Sequence, residues 1–341
     1  MPRVAVIIPA FNAEATIAET LLSASSQTFQ DIEIVVVSDG STDATSDLVR
    51  QALSADPRIR LMEQANAGVA AARNSAIDAT DCEFVAPLDA DDIWHASKLA
   101  SQIASMETSG SRSGLVYNWS RVVDEASLCR GAFATPRIEG NVFHRLLRWN
   151  FIGNGSTPLI RRKALSGLRY DPSLRAEDAG GCEDYLLQLQ IAREWEYSCV
   201  PAYLTGYRRT AAAMSQDRGT MLRSHIALYR RLRPGVGRAA QTICDERIAH
   251  YLVLLASHKF AQSEKMAVTR LLAEAFQTDA PTAAGAMVHQ LRSRMFRAAR
   301  PASSQYEAVA FEAIDPALPP SNWKPPGWMK RYASLDYQAE N

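Results

Sequence analysis

Short, continuous apolar runs alternate with stretches of helical periodicity in the first 125 residues. The apolar runs predict strands at 4–9, 33–38, 59–62, 83–88 and 114–123. The stretches between them predict helices at about 13–27, 43–53, 67–78 and 96–107. Continuous apolar strands separated by helices are typical of a parallel sheet that is covered on both faces. The pattern therefore predicts a doubly wound α/β domain that binds its ligands at the carboxyl ends of the strands.

The first predicted helix carries two local expectations. Asn12 precedes it and belongs to the residue types that cap helix N-termini. Ile17, Leu21 and Leu22 are expected to face the core from this helix. Together the two expectations predict where the helix begins and which of its faces is buried.

Beyond residue 125 the pattern is mixed, and after Gln216 it is largely helical. A helix is expected at about 183–193, and apolar residues recur at helical spacing further on, as in Ile248, Leu252 and Leu255. Five prolines between 316 and 326 exclude regular structure there, so this end is expected to form an arm packed on a surface. The predicted division is 1–125, 126–215 and 216–341.

Composition and charge narrow the class of protein. Lys plus Arg and Asp plus Glu both number 37, so net charge gives no reason to expect a nucleic-acid partner. No apolar stretch approaches the ~18 residues of a membrane span. The run 4–11 is short and is interrupted by Pro9, which favours a buried strand over a signal peptide. The five scattered cysteines predict free thiols in a reducing cytoplasm.

The strongest chemical signal is a group of aspartates where the fourth apolar run ends. Asp89, Asp91 and Asp92 place three carboxylates within four positions. Such carboxylates repel one another and cannot be buried without partners. Mg²⁺ or Mn²⁺ would relieve the repulsion, because both ions prefer oxygen ligands. An acidic turn that caps the next helix is the alternative, and the position at the end of a central strand favours the metal.

Three further signals are weaker when each stands alone. Asp39, with Gly40 after it, can accept hydrogen bonds from a base or ribose, or cap a helix. Arg73 can bind phosphate oxygens through two N–H groups, or lie solvated on the surface. Glu183 and Asp184 begin a helix, where acidic residues also complement the helix dipole.

Five segments in chain order connect these signals: PAFN, VVVSDGSTD, ANAGVAAARN, PLDADD and CEDYLLQL. Together they resemble the family 2 glycosyltransferases over about residues 3–215. The resemblance implies the GT-A fold, an α/β nucleotide-sugar-binding fold with a mostly parallel central sheet, here with a C-terminal helical extension. It makes 1–125 the nucleotide-sugar-binding half and 126–215 the half that holds the acceptor and the catalytic base. Residues 216–341 are then the helical extension with its Pro- and Trp-rich arm.

The resemblance implies a role for five residues at the donor. Pro9 and Phe11 border the nucleotide base, and Asp39 accepts a hydrogen bond from a uracil-like imide. Arg73 approaches the nucleotide or its diphosphate. Asp89 faces the ribose or the donor sugar. The donor implied is a nucleotide-diphosphate sugar, with UDP as the commonest nucleotide.

The resemblance also implies the catalytic and metal residues. Asp91 coordinates the Mn²⁺ or Mg²⁺ that bridges the two phosphates. Asp184 is the base that deprotonates the acceptor hydroxyl, and Glu183 supports it or contacts the acceptor. A metal neutralises the departing diphosphate, and a carboxylate on the opposite side of the anomeric carbon takes the proton. A single displacement of this kind inverts the anomeric centre.

The function expected is transfer of one sugar per encounter to a glycan or lipid-linked acceptor in bacterial polysaccharide or glycoconjugate biosynthesis. Repeated extension is not expected, because the Q-x-x-R-W segment of the processive synthases is absent. A dinucleotide-dependent oxidoreductase would need G-x-G-x-x-G after the first strand, where this chain has PAFNAE.

Two positions depart from the family pattern. Phe11 stands where the family usually has Tyr. Arg209 and Thr210 follow Tyr207-Arg208, where many relatives carry a His two residues on. If that His normally helps to hold metal or diphosphate, water, Thr210 or Arg208 must replace it. The departure motivates an alternative function, a catalytically inactive GT-A-like nucleotide-binding module that acts in an assembly.

A basic segment near the C-terminus raises a membrane hypothesis. Arg292, Arg294, Arg297 and Arg300 lie among apolar residues with no acidic residue between them. A basic amphipathic helix can contact an anionic membrane that carries a lipid-linked acceptor. The simpler interpretation is a solvated face, because the arginines spread over more than half of the helix circumference. The expected location is cytoplasmic, with peripheral contact at the inner face of the membrane as the further hypothesis.

Overall fold

The computed structural model describes residues 2–132, 134–209, 217–296, 309–313, 316 and 324–338. Thr210, Arg297, Arg300 and Trp323 lie outside these ranges, so the expectations about them are not addressed by the structure. The chain forms two compact units. The first comprises Met1–Pro172, Leu187–Thr210 and Glu307–Asn341, and the second Ser173–Leu186 and Ala211–Tyr306. The predicted boundaries at 125 and 215 stay a prediction.

The described part of the first unit contains a nine-stranded sheet. The strands are β1 Val4–Ala10, β2 Ile32–Asp39, β3 Ile59–Gln64, β4 Phe84–Pro87, β5 Ile93–Trp94, β6 Ser113–Val123, β7 Cys129–Ala132, β8 Leu159–Arg161 and β9 Glu196–Arg208. Their order across the sheet is β3-β2-β1-β4-β8-β6-β9-β5, and β7 pairs with β6.

The sheet has a parallel half and a mixed half. β1 pairs in parallel with β2 and β4, and β2 pairs in parallel with β3. β8 lies antiparallel between β4 and β6, and β9 runs parallel to β6. The pattern of apolar runs predicted the parallel half but not β8, which is only three residues long. Because β1, β2 and β4 are parallel, the residues that follow them meet at one edge of the sheet.

The described residues contain the following α-helices and three short 3₁₀ turns, given in chain order. The α-helices are α1 Ile17–Ser25, α2 Thr45–Ala55, α3 Val69–Asp78, α4 Lys98–Thr108, α5 Phe143–Arg148, α6 Ser173–Ala176, α7 Glu183–Ile191, α8 Arg218–Leu232, α9 Arg238–Ala261, α10 Lys265–Phe296 and α11 Met329–Gln338. The 3₁₀ turns are Arg162–Leu165, Arg233–Gly235 and Phe311–Ala313. α10 is interrupted at Asp279, whose carboxylate accepts a hydrogen bond from the Thr282 amide at 2.9 Å and so caps the second half.

The core of the first unit is centred on β1 and β2. Every residue of β1 is buried, which explains its continuous apolar sequence. Ile17, Leu21 and Ala24 of α1 pack into this core at helical spacing. The expectation that Leu22 faces the core is wrong, because its side chain is 65% exposed. It lies about 100° around the helix from Leu21, outside the buried stripe.

Asn12 does not cap the first helix, contrary to expectation. The helix begins only at Ile17, with Thr16 at its N-cap position. Asn12 instead adopts a left-handed backbone conformation with φ 48°, which Asn tolerates better than most residues. Its Oδ1 accepts a hydrogen bond from the Thr42 amide at 2.8 Å. Asn12 therefore joins the loop after β1 to the loop after β2.

The cysteines agree with the expectation of free thiols. All five cysteines are free thiols, and all five are buried. No helix among the described residues is long and apolar enough to cross a membrane.

Candidate active site

Asp39 ends β2 and shapes the loop that follows β3. Its Oδ1 accepts hydrogen bonds from Gln64 Nε2 at 2.8 Å and from the Ala67 amide at 2.9 Å. Its Oδ2 accepts one from the Gly68 amide at 2.7 Å. A carboxylate offers about four acceptor positions, so at most about one remains for a ligand. Asp39 therefore first orders the loop 64–68 at the edge of the sheet.

Gly40 allows this arrangement because no other residue fits its position. Its φ is +73°, and a Cβ atom there would lie 2.8 Å from the Asn66 backbone nitrogen. A side chain would strain the backbone and clash with the loop that Asp39 holds. The Asp39-Gly40 pair is thus a turn that brings the ends of β2 and β3 together.

Arg73 and Asp89 form an ion pair at the same edge of the sheet. Arg73 is on α3, is 3% exposed, and its Nη2 lies 2.5 Å from Asp89 Oδ1. The guanidinium also lies 5.1 Å from the centre of the Tyr170 ring. A buried arginine held between a carboxylate and an aromatic ring is pre-organised, which suits recognition of phosphate oxygens. The alternative of a solvated surface arginine is wrong.

The loop after β4 concentrates negative charge. Burial, followed by the neighbouring Asp89 charge, raises the pKa of Asp91 to about 6. Asp92 is completely buried, and burial together with Asp91 and Asp89 raises the pKa of its carboxyl well above the usual value. One oxygen of Asp92 accepts a hydrogen bond from the Arg208 amide at 2.9 Å. The remaining repulsion between Asp89 and Asp91 is of the kind that a bound cation relieves.

Buried side chains hold the backbone of this loop in place through hydrogen bonds. The Asp89 amide donates to Ser156 Oγ at 3.0 Å, and Trp94 Nε1 donates to the Ser156 carbonyl at 2.8 Å. Thr20 Oγ1, on α1, lies 3.0 Å from the Ala90 carbonyl. The loop is therefore tied through Ser156 to the segment that precedes β8, and through Thr20 to α1.

Lys98 supports Trp94 in an unusual way. The residue is 0% exposed, and its Nζ lies 3.9 Å from the centre of the Trp94 ring and 2.8 Å from Gln102 Oε1. Burial lowers the pKa of the Lys98 amine well below its ordinary value. Nothing local in the sequence distinguishes this lysine from a surface lysine.

Arg208 is the residue that holds the acidic loop to its neighbours. Its Nε donates to the Asp91 carbonyl at 2.7 Å, and its Nη1 to the Asp124 and Glu125 carbonyls. Its Nη2 donates to Glu19 Oε2 at 2.6 Å and to Ser127 Oγ at 3.0 Å. These bonds use all five donors of the guanidinium. The expectation that Arg208 could replace the missing histidine is therefore wrong, because it has no donor left for a ligand.

Pro9 and Phe11 lie at the end of β1, beside the Asp39 turn. Pro9 is buried within the strand, whereas Phe11 is 52% exposed beyond it. Asn12 connects this segment to Thr42, as described above. An exposed aromatic ring at the edge of a binding surface can contact the flat face of a base.

Glu183 and Asp184 belong to the second unit and begin α7. Glu183 is buried and its Oε2 accepts a hydrogen bond from the Gly181 amide at 3.0 Å, while Asp184 is half-buried. Cys182, just before them, lies with its Sγ 3.5 Å from His225 Nδ1. Burial, with the Asp184 and Glu183 charges, raises the pKa of the Cys182 thiol well above its usual value. This thiol is therefore a core residue and not a nucleophile.

The structure brings part of the expected site together. Arg73, Asp89 and Asp91 form one electrostatic cluster. Asp39 is linked to the same helix, because Gln64 bonds both Asp39 and Ser75 of α3. Glu183 and Asp184, the expected catalytic pair, lie in the other unit, and their role stays a prediction.

The residues after β4 fit a divalent cation. Asp89 and Asp91 offer carboxylate oxygens, the ligands that Mg²⁺ and Mn²⁺ prefer. Among the described residues no group of three or more His, Cys, Asp or Glu side chains could hold a metal by itself. Ions of this type are commonly held by one or two carboxylates together with substrate phosphates and water. The donor set therefore suits a cation that binds together with a diphosphate.

Comparison with solved structures identifies the fold. Staphylococcus aureus TarS in complex with UDP-GlcNAc is 19% identical, with a TM-score of 0.60 over 81% of each chain. The mannosyltransferase PcManGT from Pyrobaculum calidifontis, in complex with GDP-Man and Mn²⁺, is 21% identical, with a TM-score of 0.56 over 87% of this chain and 82% of its own. These likenesses confirm the expected GT-A fold class, with helices added at its C-terminus.

Two matches in sequence identify the family to which the chain belongs. The model of glycosyl transferase family 2 matches residues 5–168. The Escherichia coli UDP-Glc:alpha-D-GlcNAc-diphosphoundecaprenol beta-1,3-glucosyltransferase WfgD is 30% identical over 218 residues, which cover 63% of this chain and 80% of that protein. The chain belongs to glycosyl transferase family 2.

Proposed function

We propose that this protein is an inverting, metal-dependent glycosyltransferase that moves a sugar from a UDP-sugar to a hydroxyl of a glycan or lipid-linked acceptor. The observation that carries the proposal is the cluster of Arg73, Asp89 and Asp91 at the carboxyl end of β4. A relative named for UDP-Glc and for a GlcNAc-diphosphoundecaprenol acceptor supports a UDP donor and a lipid-linked acceptor. The setting proposed is bacterial polysaccharide biosynthesis in the cytoplasm, with peripheral contact at the inner face of the membrane.

In this proposal the base of the donor lies at the ends of β1 and β2, and its diphosphate and sugar lie towards the end of β4. Pro9 and Phe11 border the base, and the loop that Asp39 orders receives the uracil edge and the ribose. Arg73 reaches the nucleotide or its diphosphate from α3, and Asp89 faces the ribose or the donor sugar. The order β2-β1-β4 in the sheet supports this assignment, because the residues that follow these parallel strands lie along one edge.

Asp91 is the residue that would hold Mn²⁺ or Mg²⁺, with Asp89 beside it. The cation supplies Lewis-acid neutralisation of the charge that grows on the departing diphosphate. The chain itself contributes the fixed guanidinium of Arg73, which needs no reorganisation when that charge develops. Arg208 contributes by holding the Asp91 backbone and binds no ligand.

Asp184 accepts the proton of the attacking acceptor hydroxyl, and Glu183 orders the start of α7. Glu183 does this through the Gly181 amide. Proton removal by a positioned carboxylate accelerates such a step by about 10²–10⁴-fold. The sugar then passes to the acceptor oxygen in one displacement, with inversion at the anomeric carbon.

The test is to compare Asp184→Asn with Glu194→Gln, which changes an exposed carboxylate beyond the C-terminal end of α7. With UDP-sugars and a defined lipid-linked acceptor, Asp184→Asn should lower kcat by about 10²–10⁴-fold and leave UDP affinity unchanged. Glu194→Gln should leave both unchanged. NMR of the product should show an inverted anomeric centre. Retention of configuration, or full turnover by Asp184→Asn, would contradict the proposal.

The same assay separates the enzyme from the inactive binding module. An inactive module would bind UDP, yet it would transfer no sugar from any donor under any metal condition. The absence of the family histidine after Arg208 is the feature that raises this alternative.

A further inference from the structure

A cavity of about 170 Å³ lies in the first unit, apart from the residues assigned to the donor. β6 and the loop 149–153 form most of its wall. Ala134 and Gly153 line it and are exposed, so it opens to solvent at these residues. An apolar cavity of roughly 150 Å³ accepts one benzene molecule. This cavity therefore has room for one six-membered ring, whose substituents can reach the open rim.

The lining matches a sugar ring better than a purely apolar ligand. Trp119, Trp149 and Phe151 provide aromatic surface, and Ser120 and Asn150 provide polar groups. A pyranose has apolar C–H faces, which suit the negative faces of aromatic rings. Its hydroxyl groups need donors and acceptors at the edge. A few polar groups in an aromatic pocket are what fixes the orientation of a small ligand.

Two of these polar groups retain hydrogen-bonding capacity. Asn150 Oδ1 accepts from the Gly153 amide at 3.1 Å, and within the described residues the Asn150 amide nitrogen donates to none. Ser120 Oγ accepts from Asn154 Nδ2 at 3.1 Å, and its hydroxyl donates to no described residue. The remaining donors can therefore serve hydroxyl oxygens of a ligand.

A short chain of buried hydrogen bonds joins this cavity to the acidic loop. Asn154, which donates to Ser120, accepts from the Ser156 amide at 3.0 Å. Ser156 Oγ in turn accepts from the Asp89 amide at 3.0 Å. The cavity wall and the proposed donor site are thus parts of one rigid network.

The sheet order indicates which sugar the cavity receives. β6 lies two positions beyond β4, on the side away from β2 and Asp39. A donor that extends from Asp39 to Asp91 leaves this side free for the molecule that attacks its sugar. The cavity is therefore placed for the acceptor and not for the nucleotide.

The C-terminal segment keeps the aromatic wall in place. Trp328 packs edge-on against Trp149, with 6.4 Å between ring centres. Asp336 of α11 is 2% exposed and accepts hydrogen bonds from the His144 amide and from Arg145 Nε, both at 2.6 Å. These contacts anchor α5, which leads directly into Trp149. A ring held in this way loses little entropy when a ligand stacks on it.

We infer that this cavity binds a terminal pyranose ring of the acceptor. The ring stacks on Trp149, and the side-chain amide of Asn150 donates a hydrogen bond to one of its hydroxyl oxygens. The inference rests on the proposed glycosyltransferase function, and it states that the end of the acceptor bound in this cavity is a sugar. It also gives the Pro- and Trp-rich arm a role, because Trp328 positions Trp149.

Saturation-transfer NMR with methyl glycosides of glucose, galactose, mannose and N-acetylglucosamine tests this inference on the full chain with UDP and Mn²⁺. At least one glycoside should bind, and Trp149→Ala should weaken it by about tenfold, the size of one aromatic contact. Trp149→Phe should retain part of the affinity. The matched control is Trp195→Ala, a half-buried tryptophan that packs on Gly114 at the other end of β6 and should change nothing.

Calorimetric binding of UDP distinguishes this inference from the proposed function. UDP binding with no glycoside bound, or with a glycoside insensitive to Trp149→Ala, overturns the acceptor site alone. A loss of UDP-glucose affinity in Trp149→Ala, without a loss of UDP affinity, would assign the cavity to the donor sugar and also overturn it. Failure of the wild type to bind UDP counts against the proposed function, whatever the glycosides do. Normal UDP binding by Trp149→Ala shows that the variant is folded.

Discussion

Aspartates lie at the ends of both β2 and β4, but the groups that surround their carboxylates differ. Asp39, after β2, accepts three hydrogen bonds from its own chain. After β4, Asp89 is paired with Arg73, while burial and the Asp89 charge raise the pKa of Asp91 to about 6. The first carboxylate is balanced by dipoles within the fold. The second pair carries charge that the fold does not balance.

Under the proposed function, this difference separates a carboxylate that shapes a surface from carboxylates that hold a cation. Three N–H groups of the chain already donate to the Asp39 carboxylate without any ligand. Burial and like charge destabilise the charged form of Asp91, so an external cation gains affinity there. We therefore expect the aspartates at the two strand ends to differ in function, because different donors surround their carboxylates. Substitutions at each strand end test whether the two carboxylate environments differ in this way.

The largest effect is expected for Asp91→Asn. Under the proposed function, loss of this carboxylate would remove a ligand of the metal that neutralises the departing diphosphate, so sugar transfer should fall by about 10³-fold. The measurement is steady-state turnover of the UDP-sugar with Mn²⁺. Asp81→Asn, at an exposed position just before β4, is the control and should retain full activity. Equal activity of the two variants would refute the metal role of the β4 loop.

Arg208→Met should reduce stability more than any change of Asp39. It leaves three backbone carbonyls and Glu19 without the donors that Arg208 supplies. The free energy of unfolding should fall by about 3 kcal/mol, since several buried acceptors lose their partner. Chemical unfolding of the two proteins gives this value. A stable variant with unchanged metal affinity would show that the acidic loop keeps its conformation without Arg208.

Asp39→Asn should have a moderate effect that does not depend on metal. In this variant an amide NH₂ group would replace the carboxylate oxygen that accepts from the Gly68 N–H. Two donors would then face each other. The free energy of unfolding should fall by about 1–3 kcal/mol, and UDP affinity should weaken equally with and without Mn²⁺. If this variant abolished the effect of Mn²⁺ on binding, the contrast between the two strand ends would fail.

The smallest effect is expected for pH. The folded protein holds the Asp91 proton more tightly than the unfolded chain, so without metal the ionisation of Asp91 lowers stability as pH rises from about 4 to about 6. Metal needs the ionised carboxylate, so Mn²⁺ affinity in the presence of UDP should rise as pH rises towards about 7. Below about pH 6 it should weaken by about tenfold per unit. A flat profile from about pH 5 to about pH 8 would contradict this.

Part of the molecule could be predicted from sequence because it depends on local pattern. The continuous apolar runs of β1, β2 and β4 are long enough to show a buried parallel sheet. Asp39 and Asp89 stand immediately at or after the ends of such runs, so their place at the ligand edge followed from the strands. The residue roles came from the resemblance and remain predictions.

Other features depend on distant contacts that no local pattern encodes. Arg208 looks like a strand-end arginine, yet its partners Glu19 and Asp124 lie far away in the sequence. β8 has three residues and pairs only through tertiary contact. Asn12 has the chemistry of a helix cap but bonds the loop after β2 instead. In each case the partner, and not the residue itself, decides the role.

The most direct test of the central claim is calorimetric binding of UDP with and without Mn²⁺ to wild type, Asp91→Ala and Asp81→Ala, with GDP and dTDP as nucleotide controls. We expect wild type and Asp81→Ala to bind UDP much more tightly with Mn²⁺ and to prefer it to the other nucleotides. We expect Asp91→Ala to bind UDP weakly and equally in both conditions. UDP binding that ignores Mn²⁺ in the wild type, or that keeps its Mn²⁺ dependence in Asp91→Ala, would contradict a metal site at the end of β4.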